Sequence, residues 1–311
     1  MKFYESSFES KHENKKIAYS VFEPDDNAPR AIVQISHGMC EYIGRYERFA
    51  EFLTANGFIV CGNDHLGHGR SADSDGELGV MPRHADEILP DDVHSLTLIM
   101  KQKYPDLPYF LLGHSMGSFV ARIYLTKYGA ELDGAIIMGT GGPESPAAAG
   151  KLLAKIVGAT RGREHRSKLI DKVAFGSYNS RFGKDCSPKA WLTRDEDTVE
   201  RYMKDKFCMY LFTADAFYGL FNMLGRVSAK DWATKLPKNV PLLLTSGEQD
   251  PVGNYGKGVR TVYERIKAAG ASDVTLKMYT DDRHEILNEL DRDTVYADIL
   301  EWLNGRIKKA M

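Results

Sequence analysis

Cysteine is scarce in this chain. Cys40, Cys61, Cys186 and Cys208 are scattered through 311 residues with no Cys-x-x-Cys pair, so neither a disulfide framework nor a zinc ligand set is on offer, and the thiols read as reduced and buried. No apolar run approaches the ~18–20 residues that a membrane-spanning helix needs. An excess of one charge is missing too: 41 Lys and Arg stand against 43 Asp and Glu, a formal net charge of -2. That balance gives no electrostatic basis for holding nucleic acid or an anionic membrane surface. Internal repeats, low-complexity tracts and heptads are absent, which argues against a solenoid or scaffolding role. The opening residues Met1-Lys2-Phe3-Tyr4-Glu5 lead into no apolar segment of signal-peptide length. The expectation is a cytoplasmic soluble protein without a cofactor, touching lipid only through a local surface patch.

What the chain does have is rhythm. Residues 2–24 read as two strands, and Ala31, Ile32, Val33 and Ile35 mark a buried strand over 30–36. An amphipathic helix over 46–56 ends at Gly57, and a strand over 58–62 follows. The pattern continues with a helix over 86–104, a strand over 109–113, a helix over 116–128 and a strand over 135–139. Short apolar runs alternating with helical patterns predict an α/β protein with a mostly parallel sheet covered on both faces. At Gly141-Gly142-Pro143 the rhythm breaks, and up to Lys235 the composition is helical and aromatic. It resumes with strands over 240–246 and 274–279 and helices over 256–269 and 291–308. The expected organisation is one core, 1–142 and 236–311, carrying a helical cap insertion over 143–235. An insertion at the carboxyl end of such a sheet lies over the crevice where open α/β folds bind ligands.

Gly113-His114-Ser115-Met116-Gly117 follows directly on the apolar run Tyr109 to Leu112 and opens a helical segment. Gly-x-Ser-x-Gly between strand and helix describes a nucleophile elbow, in which glycines on both sides of the serine remove the Cβ atoms that so tight a turn cannot hold. A serine hydroxyl is a weak nucleophile and needs a base, itself held by a third group. Later strands supply both. The strand over 242–246 runs into a turn carrying Glu248 and Asp250, either of which can serve as the acid, and the loop after the strand over 274–279 carries His284. The expected roles are nucleophile for Ser115, general base then general acid for His284, and orienting carboxylate for the acid. Two amides must meet the developing oxyanion. One is that of Met116; the other is expected from Met39, in the loop Ser36-His37-Gly38-Met39 after an early strand.

Several segments then fall in one familiar order: His37-Gly38-Met39-Cys40-Glu41, Gly44-Arg45-Tyr46, Asp64-His65-Leu66-Gly67-His68-Gly69-Arg70-Ser71, the serine motif, and Arg283-His284-Glu285-Ile286-Leu287-Asn288-Glu289. Together they resemble the monoacylglycerol lipase and lysophospholipase branch of the α/β-hydrolases, also labelled serine aminopeptidase-like. The resemblance covers the core and touches the cap through Trp191-Leu192-Thr193-Arg194-Asp195. It implies the α/β-hydrolase fold, a mostly parallel eight-stranded sheet flanked by helices. It also implies Asp250, just before Pro251, as the acid in place of Glu248, with Met39 and Met116 as oxyanion donors. In the mammalian monoacylglycerol lipases a small residue stands at the position of Met39 and a glycine at that of Cys40. The bulkier pair here alters the acyl-entry pocket but leaves the backbone donor intact. Glu41, Arg45 and Tyr46 match a segment beside the catalytic pocket and are candidates to meet a polar head such as glycerol. Asp64, His65 and His68 match a structural turn beneath the site and not a metal centre.

Residues 202–224 are dense in aromatic and thioether side chains, among them Tyr202, Phe207, Tyr210, Phe212, Phe217, Phe221 and Met223. Such surfaces adapt to an acyl chain, and Phe212 and Phe217 are the candidates to contact it. The stretch Arg161, Arg163, Glu164, His165, Arg166 and Lys168 reads as a solvated face. The function expected is a serine carboxylic-ester hydrolase acting on monoacylglycerol, lysophospholipid or a similar single-acyl ester through an acyl-serine intermediate, with transient membrane contact through the cap. The alternatives are a serine aminopeptidase of proline iminopeptidase type and a non-catalytic ligand sensor on the same fold.

Overall fold

The computed structural model describes residues 1–25, 28–143, 147–183 and 185–310. Strands β1 (Lys2–Glu9) and β2 (Lys16–Glu23) form an antiparallel hairpin. β2 pairs antiparallel with β4 (Phe58–Asn63), and every later pairing is parallel. With β3 (Ala31–Ser36), β5 (Tyr109–His114), β6 (Gly134–Met138), β7 (Leu242–Gly247) and β8 (Val274–Tyr279), the sheet has eight strands in the order β1-β2-β4-β3-β5-β6-β7-β8. Every residue of β3 to β7 is buried. Strands covered on both faces need no polar alternation, which is why they stand out as unbroken apolar runs.

The two-residue period of the strands divides the core. Ile32, Ile59, Leu111, Ile137 and Leu244 face α2 (Ala85–Lys103), α3 (Met116–Tyr128) and α8 (Lys257–Ala268). Val33, Val60, Leu112, Ile136 and Leu243 face α1 (Glu47–Ala55) and α9 (Arg292–Ala310). Pro90 lies inside α2, where its missing N–H leaves the carbonyl of Asp86 without its helical donor. Arg226 Nη1 approaches that carbonyl at 3.2 Å.

Between β6 and β7 run α4 (Ala147–Arg161), α5 (Lys168–Phe175), α6 (Glu196–Lys204) and α7 (Ala214–Ser228). Ser167, Asp195 and Thr213 cap α5, α6 and α7 by accepting from Ile170, Thr198 and Ala216 amides. Phe217, Leu220 and Phe221 of α7 join the same apolar cluster as α2 and α3, so this segment shares a core with the sheet. Both of its ends meet Arg122 on α3, which donates to Gly141 O at 3.0 Å and to Val227 O at 2.6 Å. The guanidinium is buried, stacks over Trp232 at 4.2 Å and has no carboxylate partner among the described residues. Burial pushes its pKa down to about 9.

Two expectations need correcting. Arg166 does not belong to a solvated face: its guanidinium donates to the carbonyls of Gly76 and Leu78, between β4 and α2, and of Leu211, tying the helical segment to that connection. Cys186 is not buried as the other three cysteines are; it is half-buried.

Candidate active site

Ser115 occupies the turn between β5 and α3 with φ 54° and ψ -120°, a region side chains rarely enter. Crowding enforces the flanking glycines. A Cβ on Gly117 would stand 1.9 Å from Ser36 O, and one on Gly113 would stand 2.4 Å from Gly117 O. The Ser115 amide donates to Met138 O at 3.0 Å, and Ser118 Oγ donates to the Ser115 carbonyl and lies 2.8 Å from Thr140 Oγ1. The conformation is thus held from the neighbouring strand and from the helix below.

The loops after β7 and β8 interlock. Gln249 N donates to Asp282 O at 2.9 Å, and a Cβ on Gly247 would strike Asp282 O at 2.0 Å. This brings Asp250 to His284: Oδ2 lies 3.0 Å from Nδ1 in a close but bent contact, the ring N–H not pointing straight at the oxygen. Ser246 Oγ donates to the same carboxylate oxygen at 3.1 Å, and the Val252 amide donates to the other at 2.8 Å. Asp250 and His284 are buried, while Ser115 is partly open. The imidazole lies between the rings of His114, 4.8 Å away, and Trp191, 5.1 Å away. Glu248 is engaged elsewhere, with Arg260 at 2.6 Å.

Ser115 and His284 line one cavity of about 120 Å³, together with Met39, Met116, Phe119, Trp191, Leu220, Phe221 and Leu224. Among the described residues, the Met39 and Met116 amides have no intramolecular acceptor. Cys40 adopts φ 53°, a left-handed conformation that favours glycine. It is held there by Tyr202, whose hydroxyl donates to Cys40 O at 2.9 Å.

Beside this cavity lies a buried ionic network. Arg45 forks onto Glu285, with both contacts 2.7 Å, and reaches Glu41 at 3.1 Å. Glu41 also accepts from Tyr46 at 3.0 Å and lies 2.9 Å from His114 Nδ1. Burial alone would raise the Glu41 carboxyl, but the His114 ring and Arg45 outweigh it and hold the group well below the usual carboxylate range. His114 shifts the other way: burial disfavours its charge, yet Glu41 raises its pKa above the ordinary value. Below the loop that follows β3, the rings of His65 and His68 pack at a tilt against His37 with centroids 4.3 and 5.2 Å from it, and burial lowers all three, His68 to about 3. Asp64 accepts from the Ile43 and Arg70 amides, both at 2.8 Å, as a structural turn requires.

The predicted residues therefore separate. Ser115, His284, Met39, Met116 and Glu41 line the cavity, with Asp250 behind His284. Arg45 and Tyr46 lie behind Glu41 and line a smaller adjoining cleft. Phe212 and Phe217 do not reach the cavity: both are fully buried, 5.7 Å apart, in the packing of α7. Phe221 and Tyr210 line it in their place. Sequence reasoning missed His114 and Glu285 as network members, although each adjoins a predicted catalytic residue. It also missed the clamp between Arg194 and the histidine loop, where Glu285 N donates to Leu192 O at 2.7 Å and Arg194 binds Glu289 at 2.9 Å and Asp282 at 2.6 Å. Asp282, Glu289 and Asp291 are the described acidic cluster whose geometry could hold a metal ion, but the Arg194 guanidinium already pairs with all three.

The profile of the family described as "Serine aminopeptidase, S33" matches residues 27–291. The chain belongs to that family. It is 29% identical to a monoacylglycerol lipase of Mycolicibacterium smegmatis over 93% of this chain and 92% of the relative. It is equally 29% identical to the human monoglyceride lipase, over 91% and 85%. Among solved structures, a thermostable carboxyl esterase from Bacillus coagulans in complex with glycerol superposes with a TM-score of 0.91 at 32% identity, covering 99% of each chain. A soluble variant of the monoglyceride lipase from Saccharomyces cerevisiae, 20% identical, shares the fold with a TM-score of 0.78 over 97% of this chain and 94% of that one. The α/β-hydrolase architecture and the family membership make the protein a serine hydrolase.

Proposed function

We propose that this hydrolase cleaves carboxylic esters of a single acyl chain, monoacylglycerols and lysophospholipids, through an acyl-serine intermediate. The observation that carries the reading is the partly open Ser115 in a cavity whose lining includes Phe119, Leu220, Phe221 and Leu224, side chains suited to hydrocarbon. His284 takes the Ser115 proton as Oγ attacks the ester carbon, and Asp250 stabilises the imidazolium. The Met39 and Met116 amides receive the oxyanion. As the tetrahedral species collapses, His284 passes the proton to the departing alcohol. Water, deprotonated by the same ring, then releases the fatty acid. The relatives named as lipases and the esterase holding glycerol support an ester over an amide.

Residues 143–235 act as a cap over this cavity, with Glu144, Ser145, Pro146 and Lys184 outside the described residues. On its outer side Leu152, Ile156, Leu169 and Val173 are each at least half exposed, and Lys151, Lys155, Lys168 and Lys172 flank them in sequence. Apolar side chains with basic neighbours suit transient contact with a lipid surface. No described helix is long and apolar enough to cross a membrane. The decisive experiment is labelling with a fluorophosphonate, followed by peptide mass mapping and acylglycerol turnover. The adduct is expected on Ser115 alone, with turnover abolished in Ser115→Ala; full esterase activity in that variant would end the reading.

A further inference from the structure

The peptide bond that joins Ser115 to Met116 carries two groups with different duties. Its N–H is the Met116 donor assigned to the oxyanion, and its C=O is tied down inside the protein. That oxygen accepts from the Ser118 amide at 2.9 Å and from the Ser118 hydroxyl. Ser118 Oγ lies 2.8 Å from Thr140 Oγ1, which in turn accepts from Arg122 Nη1 at 3.2 Å. Ser118, Thr140 and Arg122 are all buried, and Arg122 does not line the cavity.

The directions of these bonds are fixed by their ends. A guanidinium can only donate, and a carbonyl oxygen can only accept. The one Ser118 hydroxyl proton goes to the Ser115 carbonyl, so the proton between the two hydroxyls comes from Thr140. Every bond then runs the same way, from Arg122 through Thr140 and Ser118 to Ser115 O. Hydrogen bonds aligned head to tail polarise one another, the more so away from water. At the head of this chain stands a positive charge with no carboxylate partner among the described residues; Gly141 O, Val227 O and the Trp232 ring surround it with dipoles. An amide whose oxygen is drawn towards positive charge moves electron density from nitrogen to oxygen, through the resonance that keeps the peptide planar. Its N–H becomes the stronger donor.

We infer that Arg122, acting through Thr140 and Ser118, orients and strengthens the Met116 amide as an oxyanion donor. The inference rests on the ester-hydrolase reading and adds to it a positioning residue that touches no substrate. Its effect is felt only when negative charge forms on the ester oxygen, so it speeds turnover without tightening substrate binding.

Arg122 also holds Gly141 and Val227, so its removal endangers the fold, and the chain is better cut at its hydroxyls. In Thr140→Val and in Ser118→Ala, kcat on a soluble aryl ester is expected to fall about tenfold at unchanged KM, less than the roughly 10²–10³-fold cost of losing a whole oxyanion donor. Because the links act in series, the double variant falls no further than Ser118→Ala alone. Thr140→Ser, which restores the hydroxyl, recovers most of the lost kcat. A second readout uses an alkyl trifluoromethyl ketone. Ser115 Oγ adds to its carbonyl carbon, the serine proton passes to His284, and the former carbonyl oxygen keeps the negative charge. Its inhibition constant is expected to rise in step with the loss of kcat, while that of the matching methyl ketone, which binds without addition, stays the same. Equal weakening of both ketones, or an additive double variant, would overturn the inference in favour of a purely structural role. Mass mapping of a fluorophosphonate adduct separates it from the reading it rests on. An adduct elsewhere than Ser115 ends both, whereas an adduct on Ser115 with full kcat in Ser118→Ala and Thr140→Val ends this inference alone.

Discussion

The Asp250 carboxylate meets the His284 imidazole at 3.0 Å across two interlocked loops, while Glu248, two residues earlier, turns outward to Arg260. The pair therefore distinguishes two acids that the sequence leaves side by side. Asp250→Asn is expected to lower kcat roughly 10³–10⁴-fold, the scale on which loss of the orienting carboxylate acts. Glu248→Gln should keep kcat within about twofold of the wild type, because a surface ion pair carries little energy. Steady-state kinetics on a soluble aryl ester reads both variants, and an inactive Glu248→Gln with an active Asp250→Asn would reverse the assignment.

Gly117→Ala places a methyl group 1.9 Å from Ser36 O and 2.4 Å from His37 O. Both atoms are backbone, so neither can rotate away. The expected outcome is a loss of stability of about 1–3 kcal/mol, as overpacking costs, with a still larger fractional loss of kcat as the elbow parts from the loop after β3. Thermal melting and kinetics measure the two, and a variant of wild-type Tm and kcat would show that the contact is not needed.

Burial holds His37, His65 and His68 neutral, and His68 is lowered to about 3. An unfolded imidazole titrates near 6.5, so between about pH 6.5 and 3 the unfolded chain binds a proton that the folded one refuses. The stability that the neutral ring contributes is complete above pH 6.5 and is lost as the pH falls through that window. The slope is at most about 1.4 kcal/mol per pH unit for each such ring. Urea unfolding at pH 7.5 and pH 5 should show this decline, with a shallower one in His68→Gln. An identical pH dependence in that variant would exclude His68 as a source.

Leu152→Glu with Ile156→Glu puts two carboxylates on the exposed side of α4. The ratio of activity on vesicle-presented acylglycerol to activity on a soluble ester is expected to fall roughly tenfold, from lost apolar insertion and from repulsion by anionic lipid. Vesicle co-sedimentation checks binding directly, and undiminished sedimentation would remove the cap surface from the account.

The parts legible in the sequence are those whose physical demand is local. Strands β3 to β7 announce themselves because both faces are covered, and the elbow because Gly113 and Gly117 have no room for a side chain. Less visible is whatever depends on where a segment lands. Phe212 and Phe217 belong to an aromatic run that is equally suited to a cavity wall or a core, and only the packing of α7 makes them core. Arg166 reads as solvated among charged neighbours, yet it answers carbonyls about ninety positions away. The network of Glu41, Arg45, His114 and Glu285 draws on segments too far apart in the chain for pairing to be seen.

Arg122 grips the chain just after β6 and again at the end of α7, so the polypeptide leaves the sheet and returns to it under one side chain. Everything between those two points is a loop closed at its base. Its inner residues are not free to vary, since Trp191, Leu192 and Arg194 meet the histidine loop and Tyr202 holds Cys40. A change of length in this segment is therefore accommodated only where it leaves those contacts in register.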